Sequence, residues 1–342
     1  MRVAWCLTVA LTACAFDDEV DDELIDGEWG DEGEVMTSEV ELEAGAALVV
    51  HNPVVAGCAD PGVMRDGAAW YLTCTGGAGG NHFPIYRSTN LLDWTKVGHV
   101  FPAGTAPSWA SGNWWAPELH HVDGGIAAYF SALDGTTNAV GYAFSPTIVN
   151  PTGYAPRATS LVKRSQSTID AHELTSVNGT HWLYFKLEGQ PDTIWGHALT
   201  ADGKNLTPGP STKLVTADRS WERGVVEAPW VSRLDGWYYL FYSGAAYCNH
   251  TYAVGVARSK HPLGPFTKKA SPILKSGDRW LGPGHNSITR GPDGRVYMVY
   301  HAYRKSEGIP ACGNLPNDNN KRDTLIDRVV IENGWPRVTA NL

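Results

Sequence analysis

Five times along this chain a turn glycine leads into a run of aromatic and β-branched residues. The copies read DGAAWYLTCT from Asp66, GGIAAYFSAL from Gly124, NGTHWLYFKL from Asn178, DGWYYLFYSG from Asp235 and DGRVYMVYHA from Asp293. Aligned on Gly67, Gly125, Gly179, Gly236 and Gly294, they recur at intervals of 58, 54, 57 and 58 residues. Asp-Gly and Asn-Gly between β-like runs are strong hairpin signals, because both residues tolerate positive φ. Further extended stretches follow the hairpins, such as Ser88 to Trp94 and Arg258 to Phe266, and no segment keeps a helical period. Four strands in each unit of roughly 57 residues, repeated five times, predict an all-β fold, a five-bladed β-propeller around a central channel. A β-helix has much shorter coils, and a β-sandwich does not repeat at this interval. Closure of the ring is expected from the terminal segments, residues 48–54 or 324–338.

The ends differ in character from the repeats. Residues 1–14 carry one positive charge, a short apolar run and small residues before Cys14. That is too short to span a bilayer and reads as a secretory signal. Leu11-Thr12-Ala13-Cys14 resembles a bacterial lipobox, with an ordinary cleaved signal as the alternative. Residues 17–43 hold fourteen acidic residues and no Lys or Arg, so residues 15–46 read as a disordered acidic tether. The formal charge of −9 belongs to that tether, since from Ala44 onward 26 basic residues face 22 acidic ones. The folded domain is therefore expected over residues 47–342, exported as a secreted or lipid-anchored envelope protein. No basic cluster is interleaved with aromatics, which argues against nucleic acid. The four cysteines outside the signal, Cys58, Cys74, Cys248 and Cys312, allow three pairings, and the sequence leaves the pairing open. Cys58 and Cys74 flank the first hairpin and could face each other across it, with Cys248 and Cys312 then joining two late loops. No CxxC-type spacing is present, which argues against zinc.

Seven to nine residues before each glycine stands one ionisable residue: Asp60, Glu118, Asp170, Glu227 and His285. The first strand of a propeller blade lines the channel, so the five are expected to converge near one mouth. A lone Asp at a strand start is commonly a turn or cap residue; the joint placement is what points to a site. Glu227 lies in Val225-Val226-Glu227-Ala228-Pro229-Trp230, where desolvation is expected to raise its pKa and keep it protonated as a general acid. Asp60 has the shorter side chain, suited to a base holding water, and Asp170 is placed to tune or orient. Two carboxylates of unequal pKa facing a pocket are what glycoside hydrolysis requires. The chain has 14 Trp, and aromatic faces stack on sugar rings. Phe83, Trp114, Trp115 and Trp230 are the expected sugar contacts, although most propeller aromatics are blade core.

Taken together, several segments resemble glycoside hydrolase family 43. They are Ala59-Asp60-Pro61, Trp115-Ala116-Pro117-Glu118, Ile169-Asp170-Ala171, Val226-Glu227-Ala228-Pro229 and Gly282-Pro283-Gly284-His285-Asn286-Ser287, with Phe83 to Ser88 and Leu91 to Trp94. The resemblance runs from about residue 52 to 336. It implies an inverting hydrolase of arabinofuranosides or xylosides, with Asp60 as general base, Glu227 as general acid and Asp170 as pKa modulator. It also implies that His285 helps hold a calcium or similar ion with waters, and that Glu118 is mainly structural. Ala228 stands where the family often has glycine. The implied ligand is an arabinose- or xylose-containing polysaccharide or oligosaccharide. No organic cofactor is expected, a lipid-tethered monomer suffices, and any membrane contact runs through the N-terminal lipid. A non-catalytic sugar-binding propeller is the alternative from another class. Exo or endo action stays open.

Overall fold

The structure is a computed structural model that describes residues 47–312 and 321–340. The signal, Cys14 and the whole acidic tether of residues 15–46 expected from the sequence lie outside the described residues. The described chain forms five four-stranded antiparallel sheets, with a short 3₁₀ turn at Ser220–Glu222. The first blade holds β1 (Gly62–Asp66), β2 (Ala69–Thr73), β3 (His82–Ser88) and β4 (Thr95–Phe101). The second holds β5 (Trp115–Val122), β6 (Gly125–Asp134), β7 (Thr137–Ser145) and β8 (Ala155–Pro156). The third holds β9 (Thr168–Thr175), β10 (His181–Leu187), β11 (Thr193–Ala198) and β12 (Thr212–Thr216). The fourth holds β13 (Val226–Leu234), β14 (Trp237–Gly244), β15 (Ala253–Ser259) and β16 (Thr267–Lys268). The fifth holds β17 (Trp280–Arg290), β18 (Val296–Arg304), β19 (Arg322–Glu332) and β20 (Trp335–Val338). Each sheet runs in sequence order from inner to outer strand, which is the five-bladed propeller expected from the repeat.

The aromatic runs are the second strands, and their two-residue period explains how the blades hold together. Successive side chains leave a strand on opposite faces, so each run feeds the two interfaces that flank its blade. In β10, Leu183 and Phe185 pack toward the second blade, whereas Tyr184 packs toward the fourth. In β14, Leu240 and Tyr242 pack toward the third blade, and Tyr239 and Phe241 toward the fifth. In β18, Tyr297 and Val299 meet the first blade, closing the ring, while Met298 and Tyr300 meet the fourth. The hydrophobic core is accordingly divided among five blade-to-blade interfaces.

The hairpin glycines adopt the left-handed conformation that their turns require, with Asp235 at φ 48 and Gly236 at φ 71 in a two-residue turn between Leu234 and Trp237. In the second blade the turn residue is Gly124 (φ 80), one position before the glycine used in the sequence alignment. Both ends of the domain take part in closure. The backbone of Val54 and Val55 bonds to Thr324 at the start of β19, and Asn52 exchanges side-chain bonds with Ile326. Cys58 pairs with Cys74 and Cys248 with Cys312, one of the three pairings that the sequence left open.

Candidate active site

Near one end of the channel, every inner strand carries, in it or just before it, a residue with left-handed backbone. These are Asp60 (φ 53), two residues ahead of β1, and Ala116 (φ 47), Asp170 (φ 57), Ala228 (φ 50) and His285 (φ 47) within β5, β9, β13 and β17. L-residues rarely adopt this region, and at an active site such strain marks a position held in place by its surroundings. What holds these five is also repeated. The backbone N–H of Asp60 donates to His301 Nδ1 (3.1 Å), Ala116 to Thr75 Oγ1 (2.8 Å), Asp170 to Ser131 Oγ (2.9 Å) and His285 to Ser243 Oγ (2.8 Å). Each acceptor stands in the second half of the second strand of the preceding blade or, for Thr75, just beyond that strand. The fourth blade departs from the pattern: Ala228 N–H donates to the Asp170 carboxylate at 2.9 Å. At the matching place in the third blade stands Lys186.

Two of the five ionisable residues named from the sequence therefore do not occupy the repeated position. Ala116 and Ala228 do, so Glu227 lies one residue before it and Glu118 two residues beyond it. Asp60, Asp170, Glu227 and His285 gather around the axis, whereas Glu118 lies deeper along the channel with its Oε2 2.8 Å from His120 Nε2 and from His172 Nδ1.

The three carboxylates are not alike. Asp60 is buried, which favours its neutral form, but Arg322, His285 and His301 outweigh that and hold its pKa well below the usual carboxylate range. Arg322 Nη1 donates to Asp60 Oδ1 at 2.6 Å and the Thr75 hydroxyl donates to Oδ2 at 2.5 Å. Asp170 moves the other way, to about 6: burial raises it, with repulsion from Glu227 and Asp60 added, against opposing contributions from His285 and Lys186.

For Glu227 the structure corrects the sequence. Its flanking residues are apolar, but Lys186 reaches across from the third blade and donates to Oε2 at 3.0 Å, and the Tyr252 hydroxyl donates to Oε1 at 2.7 Å. Burial raises its pKa, and Lys186, Tyr252 and His285 overcome that, so Glu227 is lowered rather than raised in the free enzyme. Lys186 also pairs with Asp192 at 3.0 Å. Tyr252 is seated by Gly284, where a Cβ would lie 2.0 Å from its ring.

The expected sugar contacts divide. Phe83 is fully buried between Phe101, Phe130 and Trp114, so it belongs to the core and has no face for a sugar. Trp230 is also buried; it packs on the His172 ring at 4.2 Å, on the Glu118 side of the channel, and is not a sugar platform. Trp114 is partly buried and stacked on His82 at 4.1 Å, and Trp115 is partly exposed at the start of β5. His285 Nδ1 lies 3.5 Å from Asp60 Oδ1. Calcium prefers six to eight oxygens, and His285 belongs to no group of three convergent metal-ligating side chains among the described residues. The protein ligands around His285 do not form a calcium cage by themselves, so no chemical step is assigned to an ion there.

The sequence reading missed Lys186, His301, Thr75, Tyr252 and Arg322. A signal for the first three was present. Seven or eight residues after each turn glycine, counted from Gly124 in the second blade, one polar residue interrupts the apolar run: Thr75, Ser131, Lys186, Ser243 and His301. Tyr252 and Arg322 sit in segments with no comparable periodicity.

A five-bladed channel with three inward carboxylates of separated pKa is an arrangement suited to acid–base hydrolysis. The chain belongs to glycosyl hydrolases family 43, whose profile matches residues 50–336, and it is a glycoside hydrolase. It is 29% identical over 303 residues to the extracellular endo-α-(1→5)-L-arabinanase 1 of Bacillus subtilis, covering 81% of this chain and 86% of that one. It is likewise 29% identical over 308 residues to the extracellular exo-α-(1→5)-L-arabinofuranosidase ArbA of Cellvibrio japonicus, covering 78% and 82%. Among solved structures, a thermostable family-43 glycoside hydrolase superposes with a TM-score of 0.76 at 28% identity, covering 85% of this chain and 96% of that one.

Proposed function

We propose that this protein hydrolyses α-L-arabinofuranosidic linkages in arabinan or arabinoxylan, with inversion, using Asp60 as base and Glu227 as acid. The observation that carries the assignment is the opposite electrostatic treatment of buried carboxylates around one axis. Asp60 stays ionised at any working pH. Its low pKa makes it a weak base, but water attacking an oxocarbenium-like carbon needs little help in losing its proton. Asp170 and Glu227 repel each other, and the pair binds one proton near pH 6, on Asp170 in the free enzyme. When a substrate covers Glu227 and sugar hydroxyls join Ala228 N–H on Asp170, the balance moves toward ionised Asp170 and protonated Glu227. The proton is then on the group that faces the departing oxygen. Coupled sites share macroscopic pKa values, so such relocation needs only a modest change in surroundings.

Arabinose is favoured over xylose because the two relatives described above are named as an α-(1→5)-L-arabinanase and an α-(1→5)-L-arabinofuranosidase; a β-xylosidase of the same family is the second reading, and Trp114 and Trp115 are the sugar contacts retained. Export and an N-terminal lipid anchor at Cys14 belong to this proposal, supported by the two disulfides, which suit an oxidising compartment. A monomer is sufficient for it. An axial calcium at His285 requires water for most of its shell; calcium added to chelated enzyme is expected to restore activity in the wild type and not in His285→Ala. The reaction is tested by hydrolysis of aryl α-L-arabinofuranoside, aryl β-xyloside and linear arabinan, with the first-formed anomer read by NMR. Inverted arabinose supports the proposal; no turnover on any of the three overturns it.

A further inference from the structure

A second polar cluster lies along the same channel, beyond the acid–base carboxylates. Glu118 and His120 stand two residues apart on β5 and so share its axial face, and His172 reaches the same point from β9. One acceptor atom from each lies within 4.8 Å of the others. The outer nitrogens are already engaged. His172 Nε2 is 3.1 Å from the Val231 carbonyl, and His120 Nδ1 is 3.3 Å from Glu173 Oε2. Glu173 is fixed in turn by His181 Nδ1 at 2.8 Å and by the Thr175 hydroxyl at 2.9 Å. The cluster borders a cavity of about 290 Å³ lined by His120, His172, Glu173, Thr175, Trp230 and Ile288.

Proton accounting makes this arrangement informative. A carbonyl can only accept, so His172 carries its proton on Nε2, and Nδ1 of the neutral ring presents a lone pair. That lone pair faces Glu118 Oε2 at 2.8 Å, and His120 Nε2 faces the same oxygen at 2.8 Å. Two acceptors at this separation need a proton or a cation between them. The outer partners are those that orient metal-binding histidines: a backbone carbonyl on one ring and a carboxylate on the other.

We propose that Glu118, His120 and His172 bind one divalent transition-metal ion, with zinc the best match, whose remaining position opens toward the cavity. Two imidazole nitrogens and one carboxylate oxygen are a zinc-type donor set, too rich in nitrogen for calcium or magnesium. Tetrahedral zinc with bonds of about 2.0–2.1 Å sets its ligand atoms about 3.3 Å apart, so the side chains need to open by roughly half an ångström. The missing CxxC spacing bears only on thiolate sites. The ion would pin the second blade to the third inside the channel, at a place separate from His285.

The test uses the full chain without a histidine tag, stripped with a chelator and titrated with zinc alone and with cobalt alone. One zinc per chain is expected, with a rise in Tm of about 5 °C at a hundredfold excess over Kd. Cobalt should give the visible absorption of a low-coordinate ion. Both signals should vanish in Glu118→Gln and His120→Gln and persist in His285→Gln. His120, at the cavity edge, carries the test should Glu118→Gln fail to fold. The proposal is overturned by absence of stoichiometric binding in the wild type, which would leave a proton shared between Glu118 and His172. Binding that survives His120→Gln overturns it equally.

Discussion

Replacing Lys186 by Met tests the electrostatics of the site most severely. The ammonium lies 3.0 Å from Glu227 Oε2 and 3.0 Å from Asp192 Oδ2, and it is itself buried. Burial pulls its pKa down, but Glu227, Asp192 and Asp170 more than reverse this, so it is charged at every working pH. At that separation and an effective dielectric constant near 20, the attraction to Glu227 is about 5 kcal/mol. One pKa unit is about 1.4 kcal/mol, so the full attraction corresponds to nearly four units. Water entering the space left by the ammonium recovers part of it, and a rise of roughly two units is the expectation for the Asp170–Glu227 pair. The reactive form needs the acid protonated, so the basic limb of kcat/KM, expected near pH 6 in the wild type, should move up by about two units. The acidic limb belongs to Asp60 and should stay in place. Removing one partner of a buried pair also destabilises the fold by about 3–5 kcal/mol, so denaturant unfolding is measured alongside. A folded variant whose basic limb has not moved would refute the reasoning, because Lys186 would then not control the acid.

Thr75→Val keeps shape but removes the hydroxyl that donates to Asp60 and accepts from Ala116 N–H. Leaving a buried amide and a carboxylate oxygen unpaired should lower stability by about 1–3 kcal/mol and reduce kcat more than it changes KM, as read by thermal unfolding and steady-state kinetics. Acid should weaken the fold before Asp60 is reached. Burial holds both His172 and His301 at about 4, below the ordinary histidine value, so the unfolded chain protonates them first and stability falls between pH 6.5 and 4, by about 3 kcal/mol each. Asp170, raised to about 6, takes its proton first in the folded state and opposes this by about 3 kcal/mol over the same window. Guanidinium midpoints at pH 7 and 4.5 should therefore drop modestly in the wild type and further in Asp170→Asn; equal drops in the two proteins would contradict the assignment.

The fold was legible because its organising signal is local and repeated. An Asn-Gly or Asp-Gly turn followed by alternating aromatics is written five times, and the interfaces between blades follow from strand period alone. Asp60, Asp170 and His285 were legible for the same reason, since they stand at the repeated left-handed position. Glu227 was found by proximity to it, but its protonation was misread, because pKa depends on what arrives from another blade and Lys186 is 41 residues away in sequence. The polar position that holds Lys186 recurs in every blade as Thr75, Ser131, Ser243 and His301, so it was visible as a pattern but not as a contact. Phe83 and Trp230 were misplaced for the opposite reason. A large aromatic in a loop or beside a carboxylate looks available to a ligand, yet in a propeller the space between blades claims most of them.

The division of labour between Asp60 and Glu227 is tested most directly by leaving-group dependence. Asp60→Asn and Glu227→Gln are compared on two aryl arabinofuranosides, one with an acidic nitrophenol and one with an unsubstituted phenol as the departing group. An acidic leaving group needs no proton from the enzyme, so Glu227→Gln should recover most of its rate on the nitrophenyl substrate and little on the phenyl one. Asp60→Asn should be inactive on both, because attack by water fails whatever departs. Equal impairment of Glu227→Gln on the two substrates would contradict its role as the acid.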